Sequence, residues 1–159
     1  MQQIKIEITS SDQAKAGKFA RECAQDHCDF GKERSLKDKF HNVYIGKLGE
    51  IIFEKTMEGK LKQGISLDSK GGADEGFDAI GEDDVKYDIK TLDSEWKNKV
   101  YINHPDWSMG QCDAFVAVKI DEKTMTGTVL GICPREVAKV KLKHDEKYNA
   151  HYISTEDFK

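Results

Sequence analysis

The stretch GFDAIGEDDVKYDIKT, residues 76–91, sets two carboxylates and a lysine inside short apolar runs. Asp78 stands in the first run; Asp88 and Lys90 stand in the second. Strand side chains alternate between faces, so Val85, Tyr87 and Ile89 share one face and Lys86, Asp88 and Lys90 the other. Gly81-Glu82-Asp83-Asp84 reads as the turn between the runs. If residues 77–80 pair antiparallel with residues 85–91, Asp78 lies across from the Asp88 face. Two carboxylates so placed repel unless a proton or a cation lies between them. A divalent metal held by a few carboxylates and waters is one solution. The plainer alternative is a turn aspartate beside an exposed Asp88–Lys90 ion pair worth under about 1 kcal/mol.

A third carboxylate comes from a helix expected over about residues 38–58. Phe40, Val43, Tyr44, Leu48, Ile51 and Ile52 fall at helical spacing there. Glu50 falls on the flank of this stripe and Glu54 nearer its centre, and periodicity does not choose between them. Gly46 and Gly49 lie inside the same helix, each costing about 1 kcal/mol against alanine. Close approach to a neighbouring element explains such a cost, and Glu50 is next to Gly49.

The remaining elements must hold these groups in place. Residues 2–9 alternate as a strand, with Ile4, Ile6 and Ile8 on one face. Ser10-Ser11-Asp12 offers N-cap candidates for a helix to about residue 26. A short strand is expected within residues 64–76, another at 100–102, a continuous apolar and central one at 114–120, and another at 127–133. Pro134 suits the first position of a short helix over 135–140, and one more short strand is expected in the tail. Residues 92–111 give no clear pattern beyond the 100–102 strand. The order predicts a mixed α/β or α+β domain spanning residues 1–159.

Composition narrows the function. Of 159 residues, 34% are charged and 38% hydrophobic, with no apolar run near the length of a membrane span, so a soluble cytoplasmic protein without a membrane partner is expected. The net charge of −4 argues against a general nucleic-acid binder. Its distribution is uneven: residues 31–49 carry a net +3 through Lys32, Arg34, Lys37, Lys39 and Lys47, whereas residues 65–88 carry a net −6. A basic approach beside an acidic pocket suits an enzyme that needs a divalent cation on a phosphate substrate. Four scattered cysteines read as reduced thiols, and Cys23, His27 and Cys28 lack a second matching pair for zinc.

KLGEIIFEK, then GFDAI, then YDIKT resembles the PD-(D/E)XK, or restriction-endonuclease-like, nuclease superfamily. Its pattern is a helix glutamate, an aspartate opening a strand, and D/E-x-K on the paired strand. Glu50, Asp78, Asp88 and Lys90 match in order and spacing. CDAFVAVKI, GTVLGI and PREVAKV are similar to the later strands and helix of small members, so the resemblance covers about residues 40–140. Gly76-Phe77 stands where many members have a proline.

The resemblance implies a mixed β-sheet core flanked by helices and Mg²⁺- or Mn²⁺-dependent phosphodiester hydrolysis. Asp78, Asp88, the Ile89 carbonyl and Glu50 would bind the metal. Lys90 would orient the attacking water, and Thr91 would support the site. Lys32, Arg34, Lys37, Lys39, Lys47 and Lys86 would track a DNA backbone. A DNA endonuclease is the leading expectation, as a homodimer or with a DNA-targeting partner protein. A catalytically silent regulator of the same fold and an RNA or branched-junction nuclease are the alternatives.

Overall fold

The computed structural model describes residues 2–26, 36–68, 76–93 and 98–159. The chain runs β1 (Lys5–Glu7), α1 (Ser10–Asp26), α2 (Leu36–Thr56), β2 (Leu61–Gln63), β3 (Ala79–Gly81), β4 (Lys86–Leu92) and β5 (Lys99–Ile102). It continues through α3 (Pro105–Gln111), β6 (Ala114–Asp121), β7 (Thr126–Pro134), α4 (Arg135–Lys141), β8 (Lys143–Asp145) and β9 (Ala150–Ser154). This is a mixed α+β architecture, as expected. A six-stranded sheet has the order β1-β7-β6-β4-β3-β2, and a three-stranded sheet has the order β5-β9-β8. Among the described residues only the β4–β6 pairing is parallel; the others are antiparallel.

β6 is central, between β4 and β7, and its apolar run follows from burial on both faces. Ile89, Val116, Val118, Ile120 and Val129 join Ile45, Leu48, Ile52 and Phe53 of α2 in one apolar cluster. Leu92, Phe115, Ala117 and Cys133 alternate with them and join Val100, Ile102, Met109, Ala138 and Ile153 in a second. The large sheet is therefore covered by α1 and α2 on one face and by α3, α4 and the small sheet on the other.

Local chemistry sets the helix positions. Thr9, one residue before the expected caps, is the N-cap of α1: its hydroxyl accepts the Asp12 N–H at 3.1 Å and the Asp12 carboxylate accepts the Thr9 N–H at 2.9 Å. Lys55 of α2 pairs with the same Asp12 and ties the helices together. At Gly49 a Cβ would stand 1.9 Å from Thr91 Oγ1, so α2 lies against β4 at a distance that only glycine permits.

Three expectations shift. The strand expected within 64–76 forms earlier, at Leu61–Gln63, with residues 69–75 outside the described segments. Residues 92–111 hold a helix of about two turns, Pro105–Gln111, started by Pro105. The strand expected in the tail, HYISTEDFK, is present as β9, but an unexpected strand precedes it, β8 at Lys143–Asp145, and both join β5 in the second sheet. Among the described residues no helix is long and apolar enough to cross a membrane.

Candidate active site

Residues 81–84 turn as expected: Gly81 N–H donates to the Val85 carbonyl at 2.9 Å, and Asp84 takes the left-handed conformation with φ 64°. Ala79 pairs with Tyr87 and Ile80 with Lys86. One residue further, Asp78 N–H donates to the Tyr87 carbonyl at 2.7 Å, which brings Asp78 opposite Asp88. Opposed residues of an antiparallel pair share a face, so both carboxylates and Lys90 stand on one face of the hairpin. Gly76, φ 80°, turns the chain into this strand where a Cβ would be 2.3 Å from the Gln111 side chain.

Each group has an internal partner. The Ile89 N–H donates to Asp78 Oδ2 at 2.7 Å. Lys90 Nζ lies 3.0 Å from Asp88 Oδ1. From α2, Lys47 Nζ reaches Glu50 Oε2 at 2.5 Å and the Ser66 carbonyl at 2.8 Å, and it sits 3.9 Å from the Phe19 ring centroid. Glu54 instead points outward and accepts the Ile65 N–H at 2.8 Å, which resolves the choice periodicity left open.

The carboxylates feel one another. Burial, with Asp78 and Asp88 adding to it against the opposing pull of Lys47, pushes Glu50 up to about 8. Burial and the Asp88 charge push Asp78 up to about 6, against the Ile89 N–H, Lys90 and Lys47. Burial works against the Lys90 ammonium, but Asp88 outweighs it and holds the lysine above its ordinary value. Cys112, against the same cluster, is pushed up to about 12 by burial and by Asp88, so its thiol is inert at neutral pH.

A cleft of about 600 Å³ adjoins the site, lined by Glu50, Ile89 and Lys90 together with His41, Lys99 and Tyr101. Thr91 Oγ1 donates to the Gly46 carbonyl at 3.4 Å and braces α2 against β4. The strand expected at 100–102 is present as β5, but its place as a wall of this cleft was not legible, because it is set by pairing with the distant β9.

The basic residues divide. Lys32 and Arg34 lie outside the described residues. Lys37 and Lys86 are exposed and Lys39 is half-buried. Lys47 is buried, 6% exposed, with its ammonium turned onto Glu50, so it belongs to the carboxylate cluster. Trp107 is exposed; Trp96, His27 and Cys28 lie outside the described residues.

The donor set fits a hard divalent cation in kind, with three convergent carboxylates from α2, from the residue just before β3 and from β4. Ile89 directs its N–H to the β3 edge, toward Asp78, and its carbonyl shares that edge by the alternation of a strand. Among the described residues no three acidic, histidine or cysteine side chains stand ready as a cation cage. Glu50 and Asp88 are turned to Lys47 and Lys90 instead. No family model and no curated protein matches the chain.

Proposed function

We propose that the chain is a metal-dependent nuclease of the restriction-endonuclease-like kind, hydrolysing phosphodiester bonds in DNA. The observation that carries this reading is Asp78 opposed to Asp88 beside Glu50, with the Lys90 ammonium held at 3.0 Å from Asp88. Surface ion pairs do not need three acids in mutual repulsion, one of them on the wall of a cleft, whereas phosphoryl transfer does need concentrated negative charge to hold a cation.

Asp78, Asp88, Glu50 and the Ile89 carbonyl would hold Mg²⁺ or Mn²⁺. Such an ion, when bound, polarises a phosphoryl oxygen and lowers the pKa of a water ligand. Lys90 keeps its proton, because Asp88 holds its pKa above the ordinary value. Its ammonium therefore donates hydrogen bonds to an attacking water or to the charge that develops on the phosphoryl oxygens. Asp88 aims that ammonium, and the β4 backbone fixes both. Lys47 offsets the Glu50 charge, a role that a bound cation would share.

A second reading, a catalytically silent protein of the same fold, is favoured by one observation: Lys47 and Lys90 already neutralise two of the carboxylates. Plasmid cleavage with Mg²⁺, Mn²⁺ or EDTA separates the two, run on wild type, Asp88→Ala and Lys90→Ala. The nuclease reading expects metal-dependent cleavage that falls by about 10²-fold or more in each variant. Cleavage equal in all three, or none on any DNA or RNA substrate, would refute it.

A further inference from the structure

Two residues that line the cleft, Lys99 and Tyr101, also stand on the outer face of the small sheet. Tyr101 pairs with Tyr152, and Tyr152 with Lys143, in one row across β5, β9 and β8. The alternate residues Val100, Ile102 and Ile153 are buried in the core, so the tyrosine row faces outward. Tyr148, in the β8–β9 turn and 50% exposed, stands edge-on to Tyr101 with ring centroids 6.4 Å apart. Tyr101 and Tyr152 lie 6.1 Å apart with ring planes at 57°.

Lysines interleave with these rings. Lys99 Nζ is 4.7 Å from the Tyr152 ring centroid, and Lys147 Nζ is 5.1 Å from that of Tyr148. Asp145, only 8% exposed, fixes the arrangement: its Oδ2 accepts Lys99 Nζ and the Tyr101 hydroxyl, both at 2.8 Å, and its Oδ1 accepts the Lys147 N–H at 3.0 Å. Glu146 is the exposed acid of the turn, set against Lys99, Lys143 and Lys147.

We propose that this face binds an unpaired DNA strand and leads it into the cleft, so that the substrate of the proposed nuclease carries a single-stranded arm. The choice of a strand over a duplex follows from the chemistry. Every base has a π-face that stacks on an aromatic ring whatever its sequence, and only an unpaired strand exposes that face. A surface built for duplex phosphates needs the lysines but not the tyrosines. Lys147, exposed above the Tyr148 ring, is displaceable, because base stacking outweighs an exposed cation–π contact, and its released ammonium then meets a phosphate. Asp145 holds Tyr101 and Lys99 in place beforehand, so little side-chain freedom is lost on binding.

The identity of the strand's destination rests on the nuclease reading; the binding itself is tested without it. Fluorescence anisotropy in EDTA would compare a labelled oligothymidylate of about 12 nucleotides with a blunt duplex of the same length. The strand is expected to bind more tightly. Tyr148→Ala combined with Tyr152→Leu should weaken strand binding about tenfold or more and leave duplex binding unchanged. Lys143→Glu with Lys147→Glu should weaken it and flatten its salt dependence. If the tyrosine pair melts early, Tyr148→Ala alone, at an exposed turn position, gives the reading. Duplex bound as tightly as strand, or strand affinity unmoved by the tyrosine changes, overturns the proposal, as does no strand binding at all. Strand binding without cleavage keeps this platform and removes the nuclease, whereas cleavage without strand preference removes only the platform.

Discussion

Gly49 of α2 touches Thr91 of β4 so closely that a Cβ on the glycine would stand 1.9 Å from Thr91 Oγ1 and 2.8 Å from its Cβ. The residues that follow and precede this contact are Glu50 and Lys90. One backbone approach therefore sets the distance between the helix carboxylate and the D-x-K strand. Gly49→Ala is expected to destabilise the fold by about 1–3 kcal/mol through overpacking and to lower activity beyond that loss, because Glu50 moves away from Asp78. Pairing it with Thr91→Ala should recover part of the melting temperature, since two of the three clashing atoms are removed. No recovery in the double variant would mean that the contact is not what separates the elements.

Asp78 and Glu50 give the protein a pH dependence of a particular sign. A carboxyl group raised in the folded state holds more protons folded than unfolded, so its contribution falls as pH climbs from the unfolded value to the folded one. The window runs from 3.8 to about 6 for Asp78 and from 4.5 to about 8 for Glu50. Thermal unfolding in EDTA should give a lower midpoint at pH 8.5 than at pH 5 (both on the order of the window edges above). Asp78→Asn and Glu50→Gln should each flatten the profile. Added Mn²⁺ should raise the midpoint more at the higher pH, because a cation binds the deprotonated set. A midpoint that rises through this range in EDTA would contradict the arrangement.

Lys47 lies within the same cluster, its ammonium enclosed by Glu50, the Ser66 carbonyl and the Phe19 ring. Lys47→Met removes the positive charge and leaves Glu50 to its acidic neighbours. The expected cost is about 3–5 kcal/mol where Glu50 is ionised, shrinking toward acidic pH as Glu50 takes up a proton. Combining Lys47→Met with Glu50→Gln should restore most of it. Denaturant unfolding of the four proteins at acidic and alkaline pH reads the coupling directly; additive losses would place the two side chains in separate roles.

Cys112 offers a check on the floor of the site. Its thiol is buried, donates to the Ser108 carbonyl at 3.4 Å and is pushed up to about 12. Under native conditions it should resist a thiol reagent that labels the half-buried Cys23, and it should become reactive only as the chain unfolds. Fast native labelling at Cys112, read by peptide mass, would show that the Asp88–Lys90 side of the cleft opens.

The hairpin was legible in the sequence because it is local. Alternation put Asp88 and Lys90 on one face, and an acidic Gly-containing turn folded Asp78 back across them, where the structure has Asp78 paired beside Tyr87. The central strand was legible for a similar reason: eight residues from Ala114 to Asp121, apolar on both faces, leave few alternatives to burial between layers. The α+β class follows from these runs and the two amphipathic helices.

Helical spacing alone left Glu50 and Glu54 as equals. The choice came from the packing of α2 on β4, which turns Glu50 toward Asp78 and sends Glu54 to the Ile65 N–H. Lys47 looked like a surface cation in sequence, yet the same packing buries it against Glu50, because a residue three positions before a buried glutamate shares its helix face. The second sheet was invisible for a different reason. β8, β9 and β5 are three to five residues long; β8 and β9 form a local hairpin, but β5 pairs with β9 across about fifty positions of chain, and that pairing is fixed by tertiary contact rather than by local pattern. The sequence by itself determined which side chains could do chemistry on the hairpin. Only the tertiary structure decided which helix carboxylate joins them, what neutralises it, and which distant strand walls the cleft.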